Sequence, residues 1–132
     1  MSDHAKQNAA AWAASIFGMI AARDAAHEAD DLDAIDEAER EIDESALNVL
    51  VRDDWRTMDA FGKDSTPEEY QILLSAGGPA LRIYGQVDDG GGALDARLEW
   101  QDWGTPWTEY YEATREQDAA ILAFASQFIQ AY

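Results

Sequence analysis

The segment DDLDAIDEAEREIDE, residues 30 to 44, carries nine carboxylates (Asp30, Asp31, Asp33, Asp36, Glu37, Glu39, Glu41, Asp43 and Glu44) against one base, Arg40. Carboxylates this dense can coordinate a divalent cation, work in pairs as acid and base, or imitate the phosphates of a nucleic acid. A calcium loop needs ligands at alternating positions, a turn glycine and a closing glutamate. No such run occurs in the chain, and DDGGGALDARLE at 88–99 lacks the middle ligands. Acid-base pairs for hydrolysis can be assembled from many of the 27 acidic residues, so their presence selects no reaction.

The third chemistry fits the spacing best. A helix over these fifteen residues is about 22 Å long at a rise of 1.5 Å per residue. Its nine charges then fall about every 2.5 Å, against one per about 1.7 Å of axis in duplex DNA. Like charges at i, i+4, such as Asp33, Glu37 and Glu41, destabilise a helix by about 0.2–0.5 kcal/mol per pair. Glu41, Asp43 and Glu44 also oppose the helix dipole near its C-terminus. Stability alone does not account for such a sequence. From Asp24 to Glu44 there are eleven acids and one base, a net of −10 out of −18 for the whole chain. Two plainer meanings stand beside mimicry. A charge run can be a solvated face, and sixteen Asp with two Lys also suit halophilic adaptation.

The totals bound the rest. At 132 residues and 47% apolar, the chain is long enough for one domain with a real core. The sequence pI near 4.1 disfavours direct contact with DNA, RNA or anionic lipid and favours a basic partner. Without cysteine there is no disulfide, thiolate or cysteine-zinc chemistry, which fits a cytoplasmic protein. The apolar run AAAWAASIFGMIAA (9–22) is too short to span a bilayer, and its near-neutral leader MSDHAKQN does not suit a secretory signal.

These residues need elements to hold them. Trp12, Ile16 and Ile20 recur every four residues in an alanine-rich stretch, which predicts a helix over 5–28. A second helix follows, with Asp30 as its N-cap and Leu32, Ile35, Ala38 and Ile42 as one apolar stripe. The two form an antiparallel pair, and the apolar first helix offers a face for a second copy. ALNVLVRDDW (46–55) reads as a strand or extended segment and KDSTPEE (63–69) as a loop. YQILLSA (70–76), ALRIYGQV (80–87) and ALDARLEWQDW (93–103) read as three strands of an antiparallel meander, joined at Gly77–Pro79 and at DDGGG (88–92). Alternation places Leu98, Trp100 and Asp102 on one face of the last strand, and Arg97, Glu99, Gln101 and Trp103 on the other. GTPWTEYY (104–111) reads as a turn into a final helix from about Thr114 to Ala131, burying Ile121, Leu122, Phe124, Ala125, Phe128 and Ile129. The expected fold class is α+β: two N-terminal helices, a meander of three to four strands and a C-terminal helix.

Other chemistry is sparse. His4 and His27 lack a ligand partner at i+4, so no zinc site is read. There is no G-x-S-x-G elbow, and SAGGPA lacks the lysine of a phosphate loop. The chain therefore reads as no enzyme, with no cofactor. WQDWGTPWTEYY (100–111) concentrates five Trp and Tyr residues. Half of them suffice to close a core, while Trp103 and Trp107, flanking a Gly-Thr-Pro turn, are the pair expected at the surface as partner anchors.

The stretches EEYQILLSAGGPALRIYGQV and ARLEWQDWGTPWTEYY resemble a family of small acidic proteins of phages and mobile elements. The likeness covers about residues 45–131, with Gly77-Gly78-Pro79, Arg82 and EWQDWGTPWTEY (99–110) its most specific parts. It implies an inhibitor of host defence, anti-CRISPR or anti-restriction, with no catalytic residues to carry over. Joined to the charge, it leads to the expectation of a nucleic-acid mimic that binds a Lys/Arg-lined groove of a nucleic-acid-binding protein or ribonucleoprotein, with neither nucleic acid nor membrane bound directly. The alternative is a phage or mobile-element binding module that uses the sheet and the Trp patch, its acids only solubilising it.

Overall fold

Alanines let helices approach closely, and the first helix uses them that way. In the computed structural model, which describes residues 2–52, 68–76, 80–88, 90–102 and 105–129, α1 runs over Ser2–Glu28. Ala5, Ala9, Ala13, Ile16 and Ile20 form its buried stripe, at spacings of three and four. Trp12 is only part-buried, beside that stripe. The stripe packs against the two other helices and the sheet, while Phe17 beside it is 43% exposed.

A three-residue turn reverses the chain into α2, Leu32–Ser45. The N-cap is Asp31 rather than Asp30: the Asp31 carboxylate accepts from the Ala34 N–H at 3.2 Å. Asp30 instead takes the left-handed conformation, φ 54°, that the tight reversal needs. His27 meets Glu39, while Glu41 and Ser45 border the same groove as Trp12 and Met19, so the two helices are antiparallel. Ala38 and Ile42 are buried and Ile35 is half-buried. Leu32 is exposed, contrary to the expected stripe, because it sits at the first helical position and overhangs the turn.

Five strands follow: β1 (Asn48–Arg52), β2 (Glu69–Ser75), β3 (Ala80–Gln86), β4 (Arg97–Gln101) and β5 (Thr108–Glu109). They form an antiparallel sheet in chain order. Strict alternation fixes its faces. Tyr70, Ile72 and Leu74 of β2, Leu81 and Ile83 of β3, and Leu98 of β4 point to the helices and are buried. The reading of 104–111 as a turn missed β5, whose two residues pair with Glu99 and Trp100. A two-residue strand is too short for alternation to reveal it. The strand expected over 93–103 also shrinks to Arg97–Gln101. Ala93 makes only an isolated bridge to Val87, and Asp95 turns aside to accept from the Tyr70 hydroxyl on its carbonyl (2.6 Å) and from the Gln86 N–H on its carboxylate (2.7 Å). In the 88–92 hairpin loop the Asp88 carboxylate accepts from the N–H groups of Gly90 and Gly92 at 2.9 Å, and Gly91 sits at φ 88°.

The chain closes with α3, Arg115–Phe128, opened by a capping box: Thr114 Oγ1 accepts from the Gln117 N–H and Gln117 Oε1 from the Thr114 N–H, both at 3.0 Å. Ala120, Ile121, Phe124 and Ala125 are buried against α1, with Ile129 just beyond. Leu122, expected in the core, is exposed, and Phe128 is half-buried against Phe124. The architecture is α+β, with helices on one face of a five-stranded antiparallel sheet.

Candidate functional site

Around α2, with the buried Ala38 and Ile42 defining the inward direction, successive residues turn by about 100°. Glu39, Asp43, Asp36, Asp33, Glu44, Glu37 and Glu41 then cover about 200° of arc, the whole solvent side. They do not form a single row. Two flanks differ in their partners. On the flank toward the other helices, Glu39 lies 3.8 Å from His27 Nε2. The Gln127 amide donates to the Asp43 carboxylate and to the Glu39 carbonyl, both at 3.0 Å. On the crest and the opposite flank, Asp33, Asp36, Glu37 and Glu41 are exposed and have no hydrogen bond or ion pair among the described residues. The single base, Arg40, reaches only Glu44, at 3.9 Å. Asp30 and Asp31 sit exposed in the turn at the head of the helix, with Asp24 and Glu28 exposed on the last turns of α1. The anionic surface is therefore contiguous across the tip of the helical pair.

Beside the free flank lies a groove between α1 and α2. It holds about 440 Å³ and is lined by Trp12, Met19, Ala22 and Gly18, with Glu41 and Ser45 on the α2 side. The carboxylate surface thus borders an apolar slot that can take a side chain from a partner. Gly18 leaves part of that slot: a Cβ built there meets nothing within 4 Å. Gly18→Ala should stabilise the fold by about 0.5–1 kcal/mol, since glycine inside a helix carries an entropic penalty and no contact is strained here. Thermal denaturation measures it, and an unchanged or lower melting temperature would contradict this account.

Of the two expected aromatic anchors, one can be placed. Trp103 lies outside the described residues. Trp107, expected to protrude, is half-buried with the Arg82 guanidinium over its ring, 4.3 Å from the centroid. Arg82 also lies 4.7 Å from the Tyr84 ring centroid. It donates through Nε (2.8 Å) and Nη2 (2.7 Å) to Glu99 Oε1 and through Nη1 to Gln71 Oε1 (2.7 Å). Arg97 stacks on the same Tyr84 ring at 5.0 Å, and the Tyr84 hydroxyl donates to Glu69. Trp100 and Tyr110 pack on the core, which leaves Tyr111 as the exposed aromatic of this stretch among the described residues.

These residues make a polar plate on the sheet face away from the helices. Its rows follow from register: Gln71, Tyr84 and Arg97 lie abreast, as do Leu73, Arg82, Glu99 and Glu109. A pocket of about 420 Å³ opens beside it, lined by Leu50, Val51, Glu69, Tyr70, Gln71, Arg82 and Tyr84. Sequence reasoning had set Arg97 and Glu99 on one face of their strand, but the ring–guanidinium stack was not visible in it. The signal was the outward parity of Gln71, Arg82, Tyr84 and Glu99 on neighbouring strands. Within the plate Glu99 offsets the Arg82 charge, while the buried Arg97 Nε has no hydrogen-bond partner among the described residues. Among the described residues no group of three or more His, Asp or Glu is placed to hold a metal ion, and no helix is long and apolar enough to cross a membrane. The chain matches no protein-family model, no curated protein and no solved structure.

Proposed function

We propose that this protein is a non-enzymatic inhibitor that binds a basic, nucleic-acid-binding protein or ribonucleoprotein of a host defence system through the anionic tip of its helical pair. The observation that carries this reading is the set of four exposed carboxylates, Asp33, Asp36, Glu37 and Glu41, with no ion pair or hydrogen bond among the described residues. Surface charges left unpaired on a stable helix are available to a partner, and their repulsion is relieved when a cationic groove closes over them. The four free carboxylates span about 140° of arc, which fits a concave groove better than a flat basic surface. The α1–α2 slot beside Glu41 supplies the apolar contact that charge alone lacks.

The choice of a defence complex as partner rests on the likeness read in the sequence of residues 45–131 and on no match to a known protein. The test is binding to purified nucleic-acid-binding defence complexes, such as CRISPR effectors and restriction enzymes, with and without their nucleic acid, at low and high salt. Competition with nucleic acid and steep weakening with salt are expected. Binding that ignores both would remove the mimic and leave the sheet and aromatic surface as the docking site.

A further inference from the structure

β1 ends the sheet, and among the described residues it pairs only with β2. An edge strand presents unpaired backbone N–H and C=O groups to any strand that can lie alongside. Proteins blunt such edges with charge, proline, bulges or a covering element. Residues 46–51, Ala-Leu-Asn-Val-Leu-Val, hold no charge and no proline in a chain that is 27% charged, and the charge of β1 is Arg52 at its end. The irregularity in β2 lies on its other side, at Leu73 and Ser75 against β3. No described residue covers the edge: Leu47, Val49, Leu50 and Val51 are 60, 38, 55 and 46% exposed.

The order of these residues selects the occupant. The strand Asn48-Val49-Leu50-Val51-Arg52 is symmetric in its apolar pattern about Leu50. Val49 and Val51 lie on the helix face of the sheet, opposite buried Ile72 and Tyr70, and Leu50 lies on the other face, opposite Gln71. Two such strands run antiparallel with Leu50 against Leu50 set Val49 against Val51 twice. The two-fold axis is then normal to the sheet and keeps like faces together, so four valines meet on the helix side and two leucines on the other. We infer that the β1 edge is a self-association surface whose occupant is β1 of a second copy of this chain. A strand from a basic partner would find no acid on this run to select it. A slip of one residue would set valine against leucine across opposite faces, so the register is specified.

This pairing has its own electrostatic sign. Each chain carries −18, so repulsion opposes the dimer and screening relieves it. Self-association should therefore tighten as salt rises, whereas a cationic partner binds more weakly. Analytical ultracentrifugation of the full chain should show the mass moving from 14.6 kDa toward twice that value. The dissociation constant should fall by about tenfold between about 0.05 and about 0.5 M salt. Leu50→Lys should raise it by about tenfold or more, with an unchanged melting temperature at protein concentrations where the parent is monomeric, because the side chain is exposed. The chain has no cysteine of its own, so Leu50→Cys should oxidise to a covalent dimer. Asn48→Cys should not, because its two copies would stand about 14 Å apart along the strands. A chain that stays monomeric at every salt with Leu50→Cys uncrosslinked overturns the inference. So does crosslinking at 48 as efficient as at 50, or a dimer that Leu50→Lys leaves intact.

Discussion

Reversing Glu37 and Glu41 to lysine together is expected to weaken binding to a cationic partner by on the order of a hundredfold while leaving the fold intact. Both carboxylates are exposed and unpaired among the described residues. The change removes two negative charges and adds two positive ones, so the net charge moves from −18 to −14, less than a quarter of the total. If only the overall field mattered, the loss would be correspondingly slight. If these two residues contact the groove, each meets a lysine or arginine as a like charge, and the losses add. The helix should tolerate the exchange. New attractions form from position 37 to Asp33 and from position 41 to Glu44, the like-charge pair 37–41 persists with its sign reversed, and position 37 gains a repulsion with Arg40, each about 0.2–0.5 kcal/mol. Calorimetric binding at two salt concentrations, with circular dichroism of the variant alone, separates the cases. Full-strength binding by a folded double variant rules out the acidic tip as the docking surface.

Gly85→Ala is expected to have the largest effect on stability, a loss of about 3 kcal/mol or more. Gly85 lies on the helix side of β3 opposite Tyr70. A Cβ there would collide with the Asp95 carbonyl oxygen and would stand 2.7 Å from Tyr70 Cε1 and from the Tyr70 hydroxyl. None of these can give way cheaply. The carbonyl is backbone, and it accepts the Tyr70 hydroxyl at 2.6 Å, while the Tyr70 ring is 1% exposed. The alanine variant must break that bond or move the 93–96 segment. Urea denaturation should show the lower midpoint; a midpoint within experimental error of the parent would contradict the close approach.

The same tyrosine gives a pH signature. Burial, and secondarily the Asp95 carboxylate, push the Tyr70 phenol well above its usual range, with Arg97 opposing. A raised folded-state value means that the unfolded phenol ionises first. The stabilisation is complete below about pH 10 and is lost as pH rises from there through the folded-state value, at up to about 1.4 kcal/mol per pH unit. Tyr70→Phe should flatten this alkaline loss while lowering stability near neutrality, because the Asp95 carbonyl then loses its donor. Stability curves between about pH 9 and about pH 12 would show it.

Much of the fold was written in local pattern. The spacing of Ile16, Ile20 and the alanines specified α1, the alternation of Tyr70, Ile72, Leu74 and of Leu81, Ile83 specified β2 and β3, and the capping pair Thr114 and Gln117 marked the start of α3. These signals are periodic or adjacent in the chain, so each needs no knowledge of what lies across the fold. Where a partner distant in sequence intervened, pattern failed. Tyr70 draws Asp95 out of the strand that ALDARLEW promised, and β5 exists because Glu99 and Trp100 are there to pair with it. Trp107 lies half-buried on the outer face of the sheet, where Arg82, twenty-five residues earlier, offers a cation to its ring.

The candidate site divides the same way. That the 24–44 segment is overwhelmingly anionic, and that residues 46–51 after it are uncharged, belongs to the sequence alone, since charge is a property of residue type. Which carboxylates remain free was decided by packing. The burial of Ala38 and Ile42 turned α2 so that Glu39 and Asp43 meet His27 and Gln127, leaving Asp33, Asp36, Glu37 and Glu41 to solvent. The position of β1 at the rim was likewise set by the order of strands in the sheet. Residue types fix what chemistry is available, but direction and exposure depend on neighbours brought together only when the helices and sheet close on their common core.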